Sequence, residues 1–296
     1  MGLMERFFGD RDKSGKRGEQ LIANPALENL ENLRSLQVLF PGPIVLDAEN
    51  IKGLLRAYDA ELSRAACEID PATAAQGTPL GLAGWDNHVI KIIAFNAPYP
   101  AEAVEKGLAA LHCNEEMKAA ARAHQANAIL LYAGYEESVL EQFIALAAMA
   151  GALAGLGATI VLNEGACTCL PAVVLSNETA KGKPMDFLRT LPFHFLHCGC
   201  VKYWVEGTPG AWVRTYGHHL LGAPDLAMLT TDEEAGATRD MFTDFLGYLL
   251  ESGAKFSAGE TVQFGDLFMR LRAPTADEYF LENPGPLFVI EIISND

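Results

Sequence analysis

The sequence predicts an α/β (α+β) fold: a mainly parallel β-α-β-α-β core, extended by an antiparallel hairpin region, with helices packed on the sheet. Three observations predict it. Between residues 87 and 163 the runs "NHVIKIIAF", "NAILLYA" and "ATIVLN" alternate with long helical stretches, and such alternation is the pattern of parallel strands joined by right-handed crossovers. The same runs are apolar at consecutive positions, as strands covered on both faces are. After residue 165 the alternation stops, and "GCVKYWVEGTPGAWVRTYG" sets two strand-like runs about a Pro-Gly turn, which reads as a hairpin.

Residues 1–20 are charged and rich in Gly, Lys and Asp, with only "LMERFF" apolar. They have too little area to offset ordering entropy and are expected to be a disordered extension. Residues 21–296 are expected to form a single domain with a sub-boundary near 70–80. It opens with a helix, "NPALENLENLRSL", and a strand, "QVLFPG". A second helix, "DAENIKGLLRAYDAEL", has Asp47 as its N-cap and Ile51, Leu54 and Leu55 on one face. The loop "DPATAAQGTP" leads into the alternating region, where Pro100 opens a helix reaching to His124 and a second helix covers 136–155.

The stretch "FIALAAMAGALAGLGATIVL", residues 143–162, is long enough to span a bilayer. Its Ala and Gly content contributes little transfer energy, and Gly151, Gly155 and Gly157 before "TIV" mark a helix ending and a strand beginning. It is read as a buried helix and a buried strand. Further on, "KPMDFLRTL" is a helix. "TDEEAGATRDMFTDFLGYLLESG" is another, with a capping box at Thr231 and Glu234, an apolar stripe through Met241, Phe242, Phe245, Leu246 and Leu249, and Gly253 as its stop. "ETVQFGDLFMRLRAP" and "PLFVIEII" close the chain as strands, antiparallel by their short connections.

With 22 Lys and Arg against 38 Asp and Glu, the formal charge is −16. The first 36 residues are balanced, so 16 basic and 32 acidic residues belong to the rest of the chain. That balance repels phosphate backbones and anionic lipid; no nucleic-acid or membrane partner is expected, and a protein partner would present a basic face. Six cysteines with no apolar leader segment are read as thiols of a reducing, cytoplasmic compartment.

Three groups of residues invite a chemical reading. The first is the stretch "GAWVRTYGHHLLGAPDLAML". Trp212, Arg214 and Tyr216 alternate with Val213 and Thr215, giving one large, polar-tipped strand face, and with Asp225 they are the candidate binding residues. Gly217 allows a bend, and His218 and His219 would then point to opposite sides, poorly placed to share a metal. A hairpin corner with a satisfied histidine is the preferred reading; catalysis by His218 or His219 is the alternative.

The second group is Cys167 with Cys169 and Cys198 with Cys200, near His194 and His197. Cys-x-Cys on a strand sets its sulfurs about 7 Å apart by the strand rise, too far for one tetrahedral ion, so small apolar fillers of the core are preferred over a metal site. The third group follows from parallel topology, which would gather Asn96, Tyr99, Tyr135, Glu136, Asn163 and Glu164 on one rim beyond the strand ends. Glu136 and Glu164 are the candidate acid/base pair there. None of these loops is a Gly-rich phosphate cradle, no hydrolase or kinase motif occurs, and no cofactor is expected.

The segments "HVIKIIAFNAPYP", "ANAILLYAG", "TYGHHLLGAPDLAML" and "FLGYLLESGAKFSAGETVQF" resemble the bacterial proteins grouped as domain of unknown function 4261, from about residue 80 onward. The resemblance implies a bacterial source and carries no catalytic residue across. Taken together, these observations lead to the expectation of a non-catalytic protein-binding or accessory protein, of the immunity or adaptor kind. The alternative is a metal-assisted hydrolase using His218 or His219 with the rim carboxylates. Oligomeric state is not legible.

Overall fold

The computed structural model describes residues 21–24, 34–110 and 114–293. The expected extension 1–20, most of the helix expected from "NPALENLENLRSL" and Cys113 lie outside these. The chain divides into two compact units. Of the described residues, one comprises those up to 105, 114–164 and 169–191; the other comprises 106–110, 165–168 and 192–293. Residues 70–80 fall inside the first unit.

The strands in chain order are β1 (Ser35–Phe40), β2 (Ala66–Ile69), β3 (Leu80–Trp85), β4 (His88–Phe95), β5 (Ala126–Tyr132), β6 (Ile160–Asn163) and β7 (Thr168–Pro171), and they form a seven-stranded sheet ordered β2-β3-β4-β5-β1-β6-β7. This overturns the parallel core. β4 pairs β5 antiparallel, and β1 lies between β5 and β6, antiparallel to both. β5 and β6 do run the same way, joined by a helix as expected, but the N-terminal strand has been inserted between them.

The reversal from β4 to β5 also has a local cause. The single helix expected over 100–124 is two, Ala101–Ala110 and Glu115–Arg122. The side chain of Asn114 caps the second, accepting from the backbone N–H of Met117 at 2.9 Å. One helix would carry the chain to the opposite end of the sheet, as a parallel strand needs; with two it returns to the end it left, and the next strand enters reversed.

The uncharged stretch is a helix, Val139–Ala154, followed by β6. Every residue from Gln142 to Leu153 is buried, which is why the segment carries no polar stripe. Gly151 is required there: a Cβ would stand 2.5 Å from the Tyr58 hydroxyl, which donates to the carbonyl of Leu175 at 2.5 Å. No helix among the described residues is long and apolar enough to cross a membrane.

The second unit holds β8 (Gly199–Tyr203), β9 (Ala211–Tyr216), β10 (Asp225–Thr230), β11 (Thr261–Phe264), β12 (Leu267–Arg272) and β13 (Leu287–Ile293), ordered β11-β12-β13-β10-β9-β8. β8 and β9 form the expected hairpin. β13 is antiparallel to β12, as expected, and also parallel to β10. The helix Ala235–Ser252 packs on β9 and β10 and buries Phe242, Phe245, Leu246 and Leu249. It is preceded by the reciprocal Thr231 and Glu234 bonds and ends at Gly253, whose φ of 66° is left-handed. Another cluster of the unit joins Trp212, Ala227, Leu281, Leu287 and Val289, with Tyr203 and Phe280 against it.

Candidate functional site

The tandem histidines lie where β9 turns into β10. Gly217, at φ +97°, lets the chain bend close to Ala166, whose Cβ would stand 2.7 Å from a side chain placed there. His219–Leu221 form one 3₁₀ turn, closed by Gly222 at φ +82°. β10 then begins at Asp225, whose side chain is fully buried.

That carboxylate is the hub. It accepts from Thr215 Oγ1 at 3.1 Å, from the backbone N–H of His218 at 3.1 Å, from His219 Nδ1 at 2.5 Å and from Asn283 Nδ2 at 3.0 Å. Burial alone would push its pKa up. The His219 bond, the nearby His218 and the Asn283 amide outweigh this and hold it below the usual carboxylate range.

Asn283 extends the network. Its Oδ1 accepts from Arg214 Nη2 at 2.9 Å, and the same guanidinium donates to the carbonyls of Phe280 at 3.2 Å and Glu282 at 2.7 Å. Arg214 is only 2% exposed and lies over the Tyr216 ring, 4.3 Å from its centroid. A Cβ on Gly285 would overlap the Cβ of His219, so this glycine is what lets the loop before β13 close over the imidazole.

Residues 214–291 match the family described as "Domain of unknown function (DUF4261)". This segment is similar to that family. No curated protein and no solved structure matches the chain. The DUF4261 segment opens at Arg214 and runs past Asn283 and Gly285, so it contains every side chain of the network. "HVIKIIAFNAPYP" and "ANAILLYAG" lie outside the match, which is narrower than the resemblance from about residue 80.

Within the DUF4261 segment the two histidines have different surroundings. His219 has Nδ1 held by Asp225, which orients the ring; in the neutral imidazole this would leave Nε2 as an acceptor, the arrangement of a general base. No nucleophilic hydroxyl or thiol is bonded to Nε2 among the described residues. His218 directs Nδ1 to the carbonyl of Pro224 at 3.2 Å, and burial lowers its pKa. It lines a cavity of ≈ 10 Å³, with His194, Cys198, Cys200 and Arg239 among its neighbours, room for about one water.

Trp212 and Arg214, two of the candidate binding residues, are buried with Asp225, and Tyr216 is half-buried. Cys198 is buried and Cys200 half-buried; burial pushes both thiols up, Cys200 to about 12. Cys167 sits in the turn packed against Gly199, and Cys169 lies buried in β7. Among the described residues no group of three or more His, Cys, Asp or Glu is placed to hold a metal ion.

The expected rim is split: β5 and β6 run the same way, so the loops carrying Glu136 and Glu164 leave one end of the sheet, but the loop after β4 does not join them. Because β4 and β5 are antiparallel, the loop carrying Asn96 and Tyr99 leaves the opposite end of the sheet from the loop carrying Tyr135 and Glu136. Asn96 accepts from the backbone N–H of Ile44 at 2.7 Å, while Glu136 accepts from that of Ser138 at 2.9 Å. Tyr99 reaches a carboxylate of the set, its hydroxyl donating to Glu164. Asn283 and Gly285 were not legible as site residues; "ENPGP" reads only as a turn before the last strand.

Proposed function

We propose that this chain is a non-catalytic, cytoplasmic bacterial accessory protein that acts by binding another protein. The observation that carries this reading is the direction in which the network works. Asp225, Arg214 and Asn283 turn their hydrogen bonds inward, onto the β9–β10 turn and the 280–285 loop, rather than toward an open reaction space. At the surface, the turn leading into that loop presents Tyr279, 77% exposed, and the loop itself presents the carboxylate of Glu282, both lining one cleft. Exposed, rigidly backed aromatics are typical anchors of protein interfaces. The acidic excess of the chain favours a basic counterpart, whose approach it would steer.

The test is kinetic. A partner captured from the source organism is expected to be basic, and its association rate to fall steeply between about 0.05 and 0.5 M salt as the Debye length shortens. An acidic partner, or a rate indifferent to salt, sinks the electrostatic part of the reading. A hydrolytic activity lost on His219→Ala but not on Tyr279→Ala would replace it with the general-base alternative.

A further inference from the structure

The 280–285 loop walls an open cleft of ≈ 430 Å³, lined among others by Glu278, Tyr279, Glu282 and Asn283. We propose that this cleft receives an arginine side chain of a protein partner. The proposal rests on the protein-binding reading for the source of the arginine; the recognition chemistry stands on the cleft itself.

Charge decides first. Among the described residues no Lys or Arg lines the cleft. Glu278 is already matched, since Arg272 donates to both its oxygens at 2.6 and 2.7 Å. The carboxylate of Glu282 makes no hydrogen bond or ion pair among the described residues; its backbone carbonyl is used by Arg214, and its N–H donates to the carbonyl of Tyr279 at 3.2 Å. An anionic ligand would be repelled and an apolar one would desolvate Glu282 without compensation, so a cation fits.

Shape then separates the cations. Tyr279 is the most exposed aromatic among the described residues, and its ring is backed edge-on by Phe280 at 5.9 Å, which in turn meets Trp212 at 5.5 Å. A planar guanidinium can stack on such a ring while its fork of donors meets a carboxylate; an ammonium does only the second.

Pre-organisation completes the case. Arg214 holds the carbonyls of Phe280 and Glu282 and the amide of Asn283, and Asn283 also donates to the carbonyl of Gly285 at 3.0 Å. A surface loop fixed by a buried cation loses little further entropy when it binds, which is how a small contact gains affinity.

The experiment follows backbone amide shifts of the full chain during titration with acetyl-Gly-Arg-Gly-amide, the same peptide carrying citrulline, and agmatine. Saturable shifts at Tyr279, Glu282 and Asn283 are expected with the arginine peptide. The citrulline peptide should bind about fivefold or more weakly, and Glu282→Gln should weaken the arginine peptide by a similar factor. Tyr279→Ala should weaken it about threefold. Both positions are exposed, so the fold is retained, as circular dichroism would confirm. No saturable shift, or equal binding of arginine and citrulline peptides, overturns the site. Agmatine binding tenfold tighter than the peptide overturns the partner as the source and makes this a small-molecule site. A captured partner that binds undiminished to both variants leaves the binding reading standing and overturns this inference alone.

Discussion

Arg214 and Asp225 are opposite charges buried in the same unit, and the amide of Asn283 joins them, accepting from the first at 2.9 Å and donating to the second at 3.0 Å. Each charge keeps a further set of polar partners, carbonyls around the guanidinium and N–H or O–H donors around the carboxylate. A buried charge is tolerable only with such a shell, and removing one member exposes its neighbours to the full desolvation penalty. The β9–β10 turn and the loop before β13 are therefore held as one piece.

Asn283→Ala should destabilise the chain by about 2–4 kcal/mol, because it leaves two buried charges each one partner short. Asn283→Asp should do no better, since the new carboxylate meets Asp225 as well as Arg214. Urea unfolding measures both, and a loss under about 0.5 kcal/mol for Asn283→Ala would show that the bridge carries no stability.

Gly285→Ala should also destabilise, by about 1–3 kcal/mol, through overpacking against His219. The clash is with the Cβ of His219 as well as its ring, whose Cγ would be 2.9 Å away. Adding His219→Ala should accordingly fail to restore stability. Full recovery in that double variant would place the conflict on the ring alone.

Stability should fall as pH falls below about 6.5. Burial lowers the pKa of His197 to about 4 and also lowers that of His218, so over this window the unfolded chain binds protons that the folded chain refuses. His197 alone corresponds to about 2 kcal/mol between pH 7.5 and 5. Asp225 adds a further loss below about pH 3.9, because its depressed folded pKa stabilises the fold only while it is ionised. Urea midpoints across this range check the slope, which His197→Phe should reduce; an unchanged slope in that variant would assign it elsewhere.

Cys67, Cys169 and Cys198 should label slowly with a thiol reagent in the native chain and promptly in denaturant, since all three are buried. The raised pKa of Cys67 and Cys198 adds to this by keeping little thiolate at neutral pH. Peptide mapping after timed labelling resolves each position. Rapid native labelling of Cys198 would mean that the cavity beside His218 opens to solvent.

The sequence by itself determined whatever depends on neighbours a few residues apart. The helix end and strand start after Gly151, the hairpin about Pro209 and Gly210, the Thr231 and Glu234 capping bonds and the stop at Gly253 are all local, set by period, turn chemistry and caps. The alternating face of β9 was legible for the same reason. Only the tertiary structure decided strand polarity and the make-up of the polar network. Apolar runs separated by helices look alike whether the chain returns parallel or reversed, and nothing in "QVLF" marks β1 as the strand that inserts between β5 and β6. Asn283 meets Asp225 across 58 positions. Such a contact follows from how strands are ordered in the sheet, and that order is set by burying the whole core at once rather than by any local pattern.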